Sequence, residues 1–518
     1  RAMGNADGGE SRERSNSSTD DTVDTVTPDL RADVLPPRKV FWDPVHGQIS
    51  LHPVSVAVID TPEFQRLRHI RQLGHVSYLY PGASNSRFEH SLGTAHLARA
   101  LGSHLRDCQP ELKLSDKELL CLELAGLCHD LGHGPFSHFW EHFYRRGAHD
   151  RGLKPRWTHE AMSCKILAHL ISANALDRTF SAWEAKWPGQ GLTADDVKLV
   201  QGLILGDTNG VEPSRWFLFQ VVNNRDSGLD VDKWDYYLRD CHAVGLACGF
   251  QFQRLVGSAR VVEHEGFTRI AFRDKELNNV YEMFRMRSTL HYNVYRHHMI
   301  SIFEAMICDA LQLADEKVAS ASGGGRLRLW WTTHEAGLPD ASRQQVEAFV
   351  ALTDAWVELS VRRADAKQQP DTASTAAVLR AQQLWRALET RSRRPCPLYR
   401  FLGSVPKSND GGVGSCEETL REAIMTALPE DVKPKAEDLV VDLVKIHWGC
   451  GKDDPVKKVL FFRKTEPDRA LRAEQLESSA NLPSRFEDAR WHVLLRAPGE
   501  PGLDEHVQRV LKALQPQE

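Results

Sequence analysis

A chain of 518 residues, 41% hydrophobic and 26% charged, is long enough to bury one large core with appendages, and its net charge of −5 with a pI near 6.6 supplies no overall basic field. Bulk nucleic-acid binding is therefore not indicated, although a local basic face stays open. No uncharged apolar run is long enough to span a bilayer, and no secretory signal is read at the start. The ten cysteines are scattered singly, several inside apolar helical patterns. That usage fits reduced thiols in an intracellular protein, nuclear or cytoplasmic, better than a disulfide framework.

Residues 1–35 are polar and poor in large apolar side chains, so they are expected to be disordered. Order should begin with a short strand and turn over Lys39–Gly47. Thr61 and Pro62 start a helix as N-cap and first helical residue. It continues through Phe64, Leu67, Ile70 and Leu73 to a stop at Gly74. Taken alone, Gln65, Arg66, Arg68 and Arg71 read as its solvated face. A loop at 81–86 leads into a helix carrying His90. Ser115-Asp116-Lys117-Glu118 is a capping box for a nearly all-apolar, hence buried, helix ending near Cys128.

That helix delivers Cys128-His129-Asp130-Leu131-Gly132-His133-Gly134-Pro135-Phe136-Ser137-His138, three imidazoles and a carboxylate in one short stretch. The glycines and proline stop the helix, placing His129 and Asp130 at its end and His133 and His138 on the loop beyond. Trp157-Thr158-His159-Glu160 opens another helix, and shorter helical pieces fill 183–215. A helix dense in carboxylates, among them Asp232, Asp235 and Asp240, begins near Gly228. Residues 278–315 read as one long amphipathic helix whose polar side (Arg285, Arg287, His291, Arg296, His297, His298) suits phosphate. A Ser/Gly turn at 319–325, a polar loop at 364–375, another at 408–414 and β-like segments between 438 and 465 follow. The expected architecture is mainly α: a helical core over 36–318 and a smaller α+β C-terminal lobe over 319–518.

A bare His-Asp pair serves equally as a hydrogen-bonded core pair, so the chemistry rests on the constellation. His90, His129 and Asp130, with one of the acidic residues of the 228–240 helix and Asp232 foremost, form a two-imidazole, two-carboxylate set. Such a set suits iron, manganese, magnesium or a distorted zinc site, and no CxxC argues for thiolate zinc. An ion there polarises a phosphoryl oxygen and acidifies water, as phosphoester hydrolysis requires. His138 can then protonate a leaving oxygen, with Glu141 one turn on to orient it. Arg87, Lys233 and Arg287 are candidates for phosphate, and the absence of GxxxxGK[ST] excludes P-loop chemistry.

The pattern His90, His129-Asp130, Asp232 resembles the signature of HD-superfamily phosphohydrolases. Longer strings, DTPEFQRLR, YPGASNSRFEHSLG, AGLCHDLGHGPFSH, RWTHE and DVDKWDYYLRDCH, are similar to the sterile-alpha-motif and HD-domain deoxynucleoside triphosphate triphosphohydrolases, and KPKAEDLVVD and FFRKTEPDRA extend the likeness. The resemblance implies hydrolysis of a dNTP at the α-phosphorus to deoxynucleoside and triphosphate. It implies His90, His129, Asp130 and Asp232 as ligands to Fe, Zn or Mn, with Mg bridging nucleotide phosphates. His133, His138, His159 and Glu160 match catalytic positions, and Glu141 stands where the family has aspartate. Arg87, Lys233, Tyr236, Arg287 and His291 match the substrate-phosphate region. Gln72, Leu73, Asp240 and Tyr295 match the deoxyribose pocket, where crowding excludes a 2′-hydroxyl.

The resemblance further implies activation by GTP or dGTP and a dNTP through assembly of a homotetramer. Lys39, Val40, Asp60, Gln65 and Arg68 match the guanine-reading activator site, which reverses the solvated-face reading of the 61–73 helix. Arg254, Arg273, Lys275, His297 and Lys464 match the adjacent activator site, in which Trp42 replaces asparagine and His298 replaces lysine. Residues 1–35 are too few and too polar for a sterile-alpha-motif module. Two other readings stay open: an HD nucleotidase or phosphodiesterase acting on monophosphates or cyclic dinucleotides, and a scaffold with a vestigial site that binds single-stranded nucleic acid weakly.

Overall fold

Apolar periodicity becomes a layered helical core in the computed structural model, which describes residues 36–318, 326–369, 371–390, 399–408, 411–476, 483, 485–496 and 502–514. The segment expected to be disordered, 1–35, and the Ser/Gly turn at 319–325 lie outside the described residues. Helix Arg87–Cys108 packs along Asp116–Cys128 and against Val231–Val244, so the elements expected to carry the ligands are neighbours in the core. Ser115 and Glu118 form the capping box, and the residues from Leu119 to Cys128 are all buried. No helix among the described residues is long and apolar enough to cross a membrane.

The fold is mainly helical with a smaller β-containing C-terminal lobe. Strand Glu487–Leu495 lies between Arg400–Pro406 and Leu439–His447, antiparallel to both. Helices Glu417–Ala427 and Leu503–Ala513 cover it around a second apolar cluster that includes Leu420, Ile424, Val493, Val507 and Leu511. A separate sheet ties distant parts of the chain together. Hairpin Arg260–His264 and Phe267–Arg273 continues, through a parallel pairing of Ala271 with Leu460, into Leu460–Arg463 and Glu466–Leu471. This hairpin was not expected; its strands are too short for alternation to stand out from the helices around them.

Two expected helices are corrected. The helix expected over 61–73 is α-helical only over Pro62–Gln65, continues as a 3-10 turn over Arg66–His69, and is extended at Ile70. Tertiary partners take the backbone groups a helix would use: Arg71 N donates to Asp354 Oδ2, Gln72 N to the Asn85 carbonyl, and Arg87 N to the Ile70 carbonyl. Gly74, at φ +52°, starts another 3-10 turn where a helix stop was expected, and a Cβ there would stand 2.7 Å from the Phe136 carbonyl oxygen. The single helix expected over 278–315 is instead Leu277–Leu290, a π-turn over His291–Tyr295, and His298–Ala314. The widened turn advances the backbone register and brings Tyr295 Oη to Asp240 Oδ2, 2.6 Å away.

Candidate active site

Four side chains from three helices converge where the sequence places its ligand set. His90 Nε2 stands 3.1 Å from His129 Nε2, 3.0 Å from Asp232 Oδ1 and 3.4 Å from Asp130 Oδ2. His129 Nε2 is 3.3 Å from Asp130 Oδ1 and 3.4 Å from Asp232 Oδ1. His90 and His129 come from a helix start and a helix end, and Asp232 sits in the first turn of Val231–Val244.

The partners of each imidazole say what the cluster can hold. His90 Nδ1 lies 2.7 Å from Asp235 Oδ2, and His129 Nδ1 lies 2.8 Å from the Gly126 carbonyl oxygen. With both Nδ1 atoms donating to these acceptors, both Nε2 lone pairs face each other and two carboxylates. A proton on one ring, or a metal ion between the two, relieves that arrangement. Neighbouring ligands around an octahedral ion with bonds of roughly 2.1 Å stand roughly 3.0 Å apart, close to the spacings found here. Burial opposes charge on His90, yet its hydrogen bonds to Asp232 and Asp235 push it up to about 10: the carboxylates hold a proton that a metal can replace. Asp130 is held well below the carboxylate range, because the Arg87 guanidinium, 2.5 Å away, and the imidazoles of His129 and His133 outweigh its burial.

A second layer fixes the first. Asp235 is fully buried and accepts from His90, from His46 Nε2 at 2.7 Å, and from Arg239 Nε and Nη2 at 2.9 and 3.0 Å. Arg239 Nη1 reaches on to Asp43 Oδ2 at 2.9 Å. Gly93 makes room for this layer, since a Cβ there would lie 1.8 Å from Asp235 Oδ1. Of the three acidic residues weighed in the 228–240 helix, Asp232 thus faces the ion site, Asp235 orients His90, and Asp240 pairs with Tyr295.

Beside the ligands lies a second imidazole group. His133 Nε2 is 3.2 Å from Asp130 Oδ1, and its ring stacks on His159 at 4.1 Å. Glu141 Oε1 joins His138 Nδ1 and His159 Nδ1, both at 3.0 Å, while Arg145 binds its other oxygen at 2.9 Å. These contacts outweigh burial and hold the Glu141 carboxyl below its usual range, and they raise His159. Glu160 Oε1 lies 3.5 Å from His159 Nε2. His138, expected in a loop, is instead the first residue of helix His138–Asp150.

The chain reaches it through Phe136 and Ser137, both at positive φ, a backbone state costing about 1–3 kcal/mol each for such residues. The surroundings enforce it: Phe136 N donates to Asp354 Oδ1, and Ser137 Oγ donates to the Arg71 carbonyl while accepting from Arg87 Nε.

A cavity of about 600 Å³ connects these groups. All the expected substrate residues line it: Gln72, Leu73, Arg87, Lys233, Tyr236, Asp240, Arg287, His291 and Tyr295. Buried polar atoms without partners among the described residues sit in its wall, among them Arg87 Nη2, Gln72 Oε1, Asp240 Oδ1 and His133 Nδ1, as a polar ligand would require. Arg287 is held from the C-terminal lobe by the His447 carbonyl.

The expected activator residues lie off this cavity. Lys39 Nζ is 3.6 Å from Asp60 Oδ1, Arg68 Nε donates to Gln65 Oε1 at 2.7 Å and its guanidinium stacks on Phe88, and Val40 is exposed. Arg254 pairs with Glu276, and Arg273 ends a strand whose partner leads to Lys464. Lys275 lies in the 3-10 turn just after Arg273, and His297 caps helix His298–Ala314. No hydrogen bond, ion pair or ring contact joins His297 to Arg254, Arg273, Lys275 or Lys464 among the described residues.

Sequence reasoning missed His46, Asp43 and Arg239, whose neighbourhood reads as strand, turn and helix with nothing to mark a shared partner. It also assigned no role to Arg296 as an individual residue, and none to Glu304.

Paired imidazoles and carboxylates on three helices, beside a cation-lined cavity, define the class: this is an HD-domain hydrolase with a metal-binding catalytic site, and residues 87–194 match the HD domain family model. Over 464 residues the chain is 36% identical to the deoxynucleoside triphosphate triphosphohydrolase SAMHD1 of Homo sapiens, covering 86% of this chain and 69% of that protein. It is 36% identical over 477 residues to the protein of the same name from Gallus gallus (88% and 71%), and 29% identical over 464 residues to the SAMHD1 homolog of Dictyostelium discoideum (89% and 77%). The chain belongs to the SAMHD1 family of HD-domain proteins.

Proposed function

We propose that this protein is a metal-dependent deoxynucleoside triphosphate triphosphohydrolase, cleaving a dNTP to deoxynucleoside and inorganic triphosphate. The observation that carries the reading is one cavity lined by the ion cluster, by the cations Arg87, Lys233 and Arg287, and by the Tyr295–Asp240 pair. The names of the relatives agree with it. His90, His129, Asp130 and Asp232 would hold a divalent ion (Fe, Zn or Mn), which would supply Lewis acidity toward a phosphoryl oxygen and acidify water, and Mg would accompany the nucleotide phosphates.

The chain's own groups do the rest. Arg87, Lys233 and Arg287 bind and orient the triphosphate, and Arg87 Nη2, which has no partner among the described residues, donates to one of its oxygens. Water adds at the α-phosphorus and the bond to the sugar O5′ breaks. His138, with Nδ1 engaged by Glu141, offers Nε2 to protonate that O5′, releasing a neutral deoxynucleoside. Leu73 and the Tyr295 ring, fixed through Asp240, line the cavity and would crowd a 2′-hydroxyl on the sugar. The Lys39, Asp60, Gln65 and Arg68 group receives GTP or dGTP, with Asp60 accepting from guanine N1 and N2. Arg254, Arg273, Lys275, His297 and Lys464 receive a dNTP, and both draw copies of the chain into a tetramer. Exposed Trp42 and Val40 lie on the same hairpin as Lys39 and suit an interface.

Incubation with each dNTP and GTP, with products resolved by ion-exchange chromatography, tests the reading. Triphosphate and deoxynucleoside are expected in equal amounts; orthophosphate or a deoxynucleoside monophosphate as the product refutes it.

A further inference from the structure

The cavity extends past the groups used so far. Arg296, directly after Tyr295 at the end of the π-turn, lines it, and so does Glu304 from helix His298–Ala314. Val76 and Phe139 add apolar wall to the same space. Neither charged side chain is committed elsewhere: Arg296 and Glu304 make no side-chain hydrogen bond or ion pair among the described residues. The Arg296 charge does act on Glu304, whose carboxyl burial and nearby Asp442 push up to about 7 against that pull. A free guanidinium and a free carboxyl thus share a wall that also offers apolar surface for a flat ring, and the ion and phosphate groups do not use them.

We propose that Arg296 and Glu304 read the nucleobase and select guanine among the four dNTPs, an inference that rests on the dNTP hydrolase reading above. With the triphosphate on Arg87, Lys233 and Arg287 and the sugar against Leu73 and Tyr295, the base is the part of the substrate left for the remaining wall. Guanine alone presents the acceptor pair O6 and N7, which matches a guanidinium fork, together with N1–H and N2–H donors for a carboxylate. Adenine offers a donor at N6 where the fork needs an acceptor, so Arg296 meets it with one bond fewer and an opposed dipole. One such bidentate match is worth roughly ten- to a hundredfold in discrimination.

Internal competition measures this directly. An equimolar mixture of dGTP, dATP, dTTP and dCTP, with GTP, Mn²⁺ and Mg²⁺ present, exposes every substrate to the same activation state, so early deoxynucleoside ratios report relative kcat/KM. Deoxyguanosine is expected to lead by about tenfold or more. Arg296→Met and Arg296→Lys should both lose most of that lead, the second because a lysine keeps the charge without the fork. Glu304→Gln should lose part of it. Melting curves check that each variant is folded. The inference is overturned if deoxyguanosine has no lead in the unaltered protein, if the ratios survive both Arg296 substitutions, or if all four rates fall together. Absence of any deoxynucleoside product from the unaltered protein would instead remove the hydrolase reading, and this inference with it.

Discussion

Replacing Asp235 by Asn separates the metal site from the layer that orients it. The substitution keeps the volume but removes a charge, and it turns one acceptor oxygen into an NH2 that must face donors. Asp235 accepts from His46, His90 and twice from Arg239, all at 2.7–3.0 Å, and it is fully buried. Removing one partner of a buried ion pair costs about 3–5 kcal/mol. Arg239 keeps its bond to Asp43, which puts the expected loss at the lower end, about 3 kcal/mol. The acceptor facing His90 Nδ1 is lost or, as a neutral amide oxygen, weakened, so metal affinity should fall about 10- to 100-fold.

Urea unfolding of metal-free protein and a calorimetric Mn²⁺ titration read the two effects separately. Asp232→Ala is the contrast: its carboxylate faces the ion site and is 29% exposed, so metal affinity should fall, while metal-free stability should drop less than in Asp235→Asn because His90 keeps its bond to Asp235. Metal-free Asp235→Asn protein as stable as the parent, with unchanged Mn²⁺ affinity, refutes the orienting role.

His138→Ala should lower kcat about 10²–10⁴-fold with metal content unchanged, and Glu141→Gln should lower it less, because the imidazole remains but its Nδ1 acceptor is weakened; metal analysis beside steady-state kinetics checks both. Burial pushes Asp240 up to about 6, against the bond from Tyr295, so the folded protein holds this proton more tightly than the unfolded chain, where the value is about 4. The native state therefore binds more protons at this group between those values, and its contribution to stability falls as pH rises from about 4 to 6 and then levels off. Asp240→Asn should flatten that slope in metal-free urea denaturation series at stepped pH.

Much of the site was legible in the sequence because its ligands sit where helices start and stop. Ser115 and Glu118 cap a helix whose apolar run can end only at the Gly- and Pro-rich stretch, so His129 and Asp130 had to lie at a buried helix terminus. The carboxylate-rich turn at 230–240 was equally visible. Residue types alone left three carboxylates open and the family resemblance singled out Asp232; the structure adds what packs against Asp232, Asp235 and Asp240, namely His129, Arg239 and Tyr295 respectively. The break at His291–Tyr295 was hidden for a related reason. A π-turn preserves the apolar spacing on either side, and nothing local distinguishes it from continuous helix.

The sequence by itself determined the residue types, their placement at helix ends and the family to which they belong, because capping, periodicity and turn chemistry act over a few neighbouring residues. Only the tertiary structure decided that His46, from an N-terminal turn, and Arg239 converge on Asp235 and hold His90 in one tautomer. It alone placed the His447 carbonyl on Arg287 and left Arg296 and Glu304 without a side-chain hydrogen bond or ion pair among the described residues, in the same cavity. Those arrangements depend on contacts between residues up to 189 positions apart, which no local preference specifies and only the packed core enforces.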